Sequence, residues 1–214
     1  MKSKVWQIGG FIAGGVLIVF GAVAIYMGAT GHQTVRNELN REQIVGSADM
    51  TPAAIEQSAQ QSGLSASVSL PTCDVAGSTI DTGAEARCFA QYMRIHALES
   101  TGGLTYAQMG RYKLASSPDD PAGTSDAAVA AKNAEGQPIS NAARDIWINE
   151  NALATALNVS YMAEQLSIFG IVVGFALLLT GIGLVILALA VFRQRAPETE
   201  PAADTGATTT PVTG

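Results

Sequence analysis

Two stretches decide how this chain folds: IGGFIAGGVLIVFGAVAIYMGA, residues 8–29, and SIFGIVVGFALLLTGIGLVILALAVF, residues 167–192. The first runs 22 residues without a charge and the second 26. An uncharged apolar stretch of about 18 or more residues is long enough, as a helix, to cross a hydrocarbon core ~30 Å thick. Phe11, Ile12, Val16, Leu17, Ile18, Val19, Phe20, Val23 and Ile25 give the first a lipid-compatible surface, and Phe175-Ala-Leu-Leu-Leu179 does so for the second. Trp6 and Tyr26 bracket the first stretch and Tyr161 precedes the second, as interfacial aromatics often do.

Working outward, Lys2 and Lys4 lie just before the first stretch, and Arg193 and Arg195 just after the second. Positive charge near span ends marks the cytoplasmic side. Both termini are therefore expected in the cytoplasm and residues 30–166 outside the plasma (inner) membrane. The expected fold is a membrane, mainly α class: two transmembrane helices flanking a small helical extracytoplasmic domain with one disulfide. Its divisions are a cytoplasmic N-terminus 1–7, span one 8–29, domain 30–166, span two 167–192 and a disordered cytoplasmic tail 193–214. Six threonines lie in that tail between Thr199 and Thr213 as phosphate acceptors or as parts of a solvated spacer.

A second reading of span one stands beside the first. Lys2 and Lys4 make a signal-peptide n-region, and Ala22-Val23-Ala24 has the small-x-small form of a cleavage site. The apolar run continues through Ile25-Tyr26-Met27, which favours a retained helix. Either way residues 30–166 stay on the same side.

The overall 48% hydrophobic content thus averages two spans with a polar domain. Of the net charge of −6, the first seven residues carry +2, residues 30–166 carry −7 and residues 193–214 carry −1. Nothing is basic enough for a nucleic-acid groove. Neither span carries an Asp, Glu, Lys, Arg or His, which weighs against an active transporter. Gly10 with Gly14, and Gly170 with Gly174, form small-xxx-small pairs that let helix backbones approach closely. Packing within the chain and a homo-oligomeric interface both fit that spacing.

Within 30–166, Val35, Leu39 and Glu42 are spaced to extend span one as a helix over residues 32–45, with Gly46 as its stop. Thr51-Pro52 starts a helix that Gly63 ends. Leu64, Ala66, Val68 and Leu70 alternate with serines, the signature of a short strand or extended segment. Thr82-x-x-Glu85 has the capping-box form, and the helix it opens places Cys88, Phe89, Tyr92, Met93 and His96 on one face until Gly102-Gly103. A second box, Thr105-x-x-Gln108, predicts a short helix through Tyr112. Residues 115–138 are rich in Ser, Asp, Pro, Gly and Ala and read as a mobile loop. From Asn141, with Ile146, Leu153, Leu157 and Tyr161 at helical intervals, one long helix is expected to enter the membrane unbroken.

Catalytic chemistry has little to draw on. Cys73 and Cys88 are the two cysteines, and on the oxidising side of a membrane such a pair most simply forms a disulfide. A two-His-one-carboxylate iron site would need both His32 and His96, which sit on separate elements. His96 reads as a packed or hydrogen-bonded helix residue. No Gly-x-Ser-x-Gly elbow or phosphate-cradling Gly-x-x-x-x-Gly-Lys-Ser/Thr loop is present. Asp74, Asp81 and Glu85 lack the alternation of a calcium loop and read as capping or solvated carboxylates. Asn158-Val159-Ser160 has the sequon form, too close to the membrane to favour use. No catalytic, cofactor-binding or metal-binding residue is assigned.

The blocks Leu70-Pro-Thr-Cys-Asp-Val-Ala-Gly77, Ile80-Asp-Thr-Gly83, Cys88-Phe-Ala-Gln-Tyr-Met-Arg-Ile-His-Ala-Leu-Glu99 and Thr105-Tyr-Ala-Gln-Met-Gly-Arg-Tyr112 resemble an uncharacterised family of two-pass membrane proteins of mycobacteria and related actinobacteria. The resemblance runs from span one through span two and leaves out the tail. It implies a cell-envelope protein with a helical, disulfide-tied external domain, and it carries over no catalytic residues.

The function expected is that of a non-enzymatic integral membrane protein of the cell envelope, a structural or accessory component acting through protein–protein contacts. Its partners are the lipid bilayer and either further copies of the chain or other membrane proteins. A subunit of an oligomeric pore or transport accessory, with Thr180 and glycines lining a path, is the alternative. An envelope enzyme using His96 and Glu99 is weaker still.

Overall fold

The computed structural model describes residues 2–64 and 68–193, so the centre of the alternating Leu64–Leu70 stretch and the tail from residue 194 lie outside the described residues. The chain is mainly helical: α1 (Lys2–Glu42), α2 (Pro52–Gln61), α3 (Gly83–Ser100) and α4 (Ala142–Arg193), with a 3-10 turn at Tyr106–Gln108. Among the described residues only isolated β-bridges occur. Two of the helices, α1 and α4, are long and apolar enough to cross a membrane. The chain divides into two compact units, Met1–Ala22 with Gly174–Gly214, and Val23–Val173.

In the first unit α1 and α4 pair antiparallel through glycines. A glycine inside a helix costs about 1 kcal/mol relative to alanine, so repeated glycines need a packing reason. A methyl group on Gly10 would sit 3.3 Å from the Ala188 methyl, one on Gly14 2.8 Å from the Gly181 carbonyl, and one on Gly21 2.7 Å from the Gly174 carbonyl. Reciprocally, a methyl on Gly181 would lie 2.7 Å from the Gly14 carbonyl. The backbones touch because nothing stands between them. Gly9, Gly15 and Gly183 point into open space. Around this seam Ile12, Val16, Val19, Phe20, Phe175, Leu179 and Ile186 are exposed, as a lipid-facing surface would be.

The second unit is built by local stop and start signals. The left-handed Gln43 (φ 51) ends α1 three residues before Gly46. Gly46 serves a different purpose from the expected helix stop: the Val75 carbonyl occupies the place a side chain would need. The close approach lets Gly46 N–H donate to Ser78 O at 2.9 Å and Gly46 O accept from Gly77 at 2.8 Å.

Thr51 caps α2 by accepting from Ala54 N–H at 3.2 Å, and Pro52 occupies the first helical position. At its other end Gly63 is left-handed (φ +70), and Leu64 N–H donates to Ala59 O at 2.8 Å. That is a Schellman closure, completed by the buried pair Ala59 and Leu64.

The capping box of α3 forms as the spacing predicts. Glu85 N–H donates to Thr82 Oγ1 at 3.2 Å, while Glu85 Oε2 accepts from Thr82 N–H at 3.0 Å. Gly102 and Gly103 are both left-handed and end the helix. The second box does not lead to a helix through Tyr112. Gln108 Oε1 accepts from Thr105 N–H at 2.8 Å, but only one 3-10 turn follows. The extended Met109 (ψ 134) turns the chain inward, where its side chain is buried, and Gly110 packs on Thr124.

Residues 115–138 are irregular, as their composition predicts, yet they carry backbone bonds. Ala131 N–H donates to Lys113 O at 2.9 Å and Ile139 N–H to Ala131 O at 2.8 Å. The clamp on this loop is Asn141, buried at the start of α4. Its amide donates to Gly110 O at 3.1 Å and Pro121 O at 2.9 Å, and its Oδ1 accepts from Ala143 N–H at 3.2 Å. One side chain caps a helix and ties Pro121 of the loop to Gly110 before it.

Candidate functional site

The centre of the Val23–Val173 unit is α3, whose alanines let neighbours pack on it from several sides. Ala86, Cys88, Ala90, Tyr92, Ile95, Ala97 and Leu98 are all buried. Cys88 is bonded to Cys73 with their Cα atoms 6.1 Å apart. One helical turn on, Tyr92 donates its hydroxyl hydrogen to Cys73 O at 2.6 Å. The extended segment before Asp74 is thus held to α3 by a covalent bond and a hydrogen bond.

Against α3 lies the inner face of α4, carrying Trp147, Glu150, Ala154, Leu157, Tyr161 and Glu164 at alternating spacings of three and four. Ile146 and Leu153, singled out by their helical intervals, are exposed instead. Trp147 is 2% exposed, and its indole N–H donates to Leu104 O at 2.6 Å. Thr101, fully buried, sets its hydroxyl 2.9 Å from Ala97 O and 2.7 Å from Leu104 O. Two arginines of α3 cover aromatic rings of α4: Arg94 over Trp147 at 5.0 Å and Arg87 over Tyr161 at 4.8 Å.

Glu150 is the least comfortable group here. It is 5% exposed, and its Oε2 has no hydrogen-bond partner among the described residues. It lines a groove of about 380 Å³ with Gln91, Arg94, Asn151, Thr155 and Asn158. Burial raises its pKa above the usual glutamate value of 4.5, and the nearby Arg94 charge opposes that rise in part. A pKa raised in the fold means the native state holds its proton longer than the unfolded chain. Its contribution is fully present below the unfolded pKa and is lost as pH rises through the folded value. Glu150→Gln should therefore flatten the pH dependence of stability above the unfolded glutamate pKa and raise the melting temperature at the upper end of that range. Thermal melts across that range check it; parallel curves for the two proteins would refute it.

The histidines have separate carboxylates. His32 Nδ1 lies 3.6 Å from Glu164, whereas His96 Nδ1 is 3.1 Å from Glu99 and its Nε2 3.5 Å from Asp49. Asp49 itself sits below the usual aspartate range, chiefly because the Ser47 hydroxyl donates to it at 2.5 Å. The three acids near the disulfide also divide. Glu85 caps α3, Asp81 pairs with Arg36 at 3.0 Å, and Asp74 accepts from Ala76 N–H at 3.0 Å. Among the described residues no group of three or more His, Cys, Asp or Glu side chains is placed to hold a metal ion. Asn158 donates its amide to Ala154 O at 2.7 Å, and Thr180 its hydroxyl to Ala176 O at 2.7 Å, each within α4.

A larger and drier groove, about 510 Å³, lies between the end of α1, α3 and α4. Leu39, Ile44, Phe89, Met93, Leu153 and Leu157 line it.

Of the glycines singled out by spacing, Gly10 and Gly14 lie in the α1–α4 seam and Gly174 supplies its carbonyl to it. Gly170 is only loosely engaged, with an added methyl 3.8 Å from Ala24 O. Closer contacts come from Gly21, Gly28 and Gly181, which pair spacing did not pick out. A methyl on Gly28 would meet the Ser167 carbonyl at 2.6 Å. Their signal was the seven-residue interval Gly14, Gly21, Gly28 on one helix and Gly174, Gly181 on the other. No family model, curated protein or solved structure matches the chain.

Proposed function

We propose that this chain is a non-enzymatic integral membrane protein of the cell envelope that works as an assembly component, through protein–protein contacts made by residues 30–166 on the extracytoplasmic side. The observation carrying this is on α4 before its uncharged stretch. Ile148, Leu153, Val159, Met162 and Leu166 are each more than half exposed there, a concentration of exposed apolar side chains on one helix. Covering such side chains is worth roughly 1.5–3 kcal/mol each when complete, which is a strong reason for a protein partner. The two apolar helices support the membrane reading, and the Cys73–Cys88 bond supports an oxidising compartment. The blocks from Leu70 to Tyr112 support membership of the actinobacterial two-pass family they resemble.

The test is native mass spectrometry of the full chain released from its membrane in mild detergent. An alkali-resistant membrane protein that appears with bound protein subunits is the expected result. A strictly lone monomer with no co-purifying protein overturns the proposal. Impermeant maleimide labelling of a Ser125→Cys variant in intact cells tests the side of the membrane: labelling is expected, and protection contradicts the topology.

A further inference from the structure

Most of the exposed apolar residues of α4 before its uncharged stretch fall in one row, with Ile146 and Leu153 outside it. Ile148, Ala152, Thr155, Val159, Met162 and Leu166 are all exposed and follow one another at intervals of 4, 3, 4, 3 and 4. Five of the six are apolar. This is the a/d pattern of a coiled-coil seam, which keeps one stripe facing a partner helix. The inner seam of the same helix, from Trp147 to Glu164, has its own 3-4 spacing and is occupied by α3 and α1 within the chain. The outer stripe is exposed among the described residues, with Thr155, Val159 and Met162 bordering the groove that Ala90, Gln91 and Arg94 of α3 form with α4.

We infer that a second copy of this chain covers the stripe, the two α4 segments packing parallel over residues 148–166. Three observations select that occupant. The pattern is self-complementary, because each a/d row fits the matching row of an identical helix. The flanking positions are Asn149, Ala156 and Ala163 on one side and Asn151, Asn158 and Gln165 on the other, so these positions bring no like charges together, and the Arg94 and Glu150 that border Val159 and Met162 are of opposite sign. The stripe also ends where the uncharged stretch 167–192 begins. If that stretch spans the membrane, as the proposed function holds, every copy is inserted in the same direction and to the same depth. Two stripes then face each other parallel and in register, and much of the orientational cost of association is already met. The inference rests on that membrane reading.

Single cysteines at Ala152, Val159, Ala156 and Ser160, each in the full chain with Cys73 and Cys88 retained, test it by oxidative cross-linking in native membranes. Ala152→Cys and Val159→Cys are expected to give a disulfide dimer, with at least tenfold less from Ala156→Cys and Ser160→Cys. Cross-linking of the stripe positions to a different protein overturns the second copy as occupant. Equal cross-linking at all four positions, or none, overturns the stripe. Alkaline extraction of the same membranes separates the failures: chain that stays in the membrane without phased cross-links overturns this inference alone. Chain that is released overturns the membrane reading as well. A Val159→Glu variant is expected to shift the native mass from dimer to monomer, with an intact Cys73–Cys88 bond as the sign that the fold survives.

Discussion

Replacing Trp147 with alanine is expected to destabilise the Val23–Val173 unit by about 3–5 kcal/mol, the range for deleting a buried large aromatic. The side chain is 2% exposed and packs with Ala59, Leu64, Leu98 and Met109. These belong to α2, α3 and the turn after it, so the hole would open where three parts of the unit meet. The cost has a second part. The indole N–H is bonded to Leu104 O at 2.6 Å. Without it a carbonyl beside a buried hydroxyl loses a partner. Trp147→Phe separates the two contributions, because it keeps most of the packing and removes the donor; about 1–2 kcal/mol is expected. Hydrogen exchange of the α3 amides under increasing urea, followed by mass spectrometry, reads both variants. A loss below about 1 kcal/mol for Trp147→Ala would show that this cluster does not hold the unit together.

That residue also shows where sequence reading stops. The helix carrying Trp147 was legible, since no Pro or Gly interrupts residues 142–169, but its inward phase was not. Its buried seam contains Glu150 and Glu164, and two carboxylates among the buried positions break the apolar period that would have marked it. Ile146 and Leu153 supplied a cleaner apolar rhythm on faces that turn out exposed. Most signals complete within a few residues are legible, the Thr105–Gln108 box, which opens only a 3-10 turn, being the exception. Thr51-Pro52, Thr82 with Glu85, and Gly102-Gly103 act on their own turn of helix, and local chemistry suffices for them. Features made by distant partners were hidden. Gly46 looked like a helix stop but is a point of backbone contact with Val75, and Asn141 gave no sign that it would hold Gly110 and Pro121. The candidate assembly stripe was readable as spacing once its exposure was known. Spacing alone cannot distinguish it from the inner seam one or two residues away.

Removing the Cys73–Cys88 bond should be the other large change, worth about 3 kcal/mol for a closed loop of this length. The bond links residues 15 apart, and the chain it encloses is not idle. Val75 and Ile80 are fully buried in the main cluster, and Asp81 pairs with Arg36 of α1. Opening the loop therefore loosens the segment that joins α1 to α3, in addition to freeing the unfolded chain. Tyr92 works against the loss by keeping its hydrogen bond to Cys73 O, which a change of side chain at position 73 leaves in place. That bond contributes only about 1 kcal/mol, so it moderates the effect without cancelling it. A Cys73→Ala/Cys88→Ala variant, unfolded in urea and followed by Trp147 fluorescence in a Trp6→Phe background, gives the measurement. Its midpoint should fall by the equivalent of about 3 kcal/mol and should not respond to reductant. The parent chain should fall to the same midpoint when reduced. If the variant keeps the parent's midpoint, loop closure contributes nothing here. The Tyr92 hydrogen bond and the burial of Val75 and Ile80 would then hold the segment on α3 unaided.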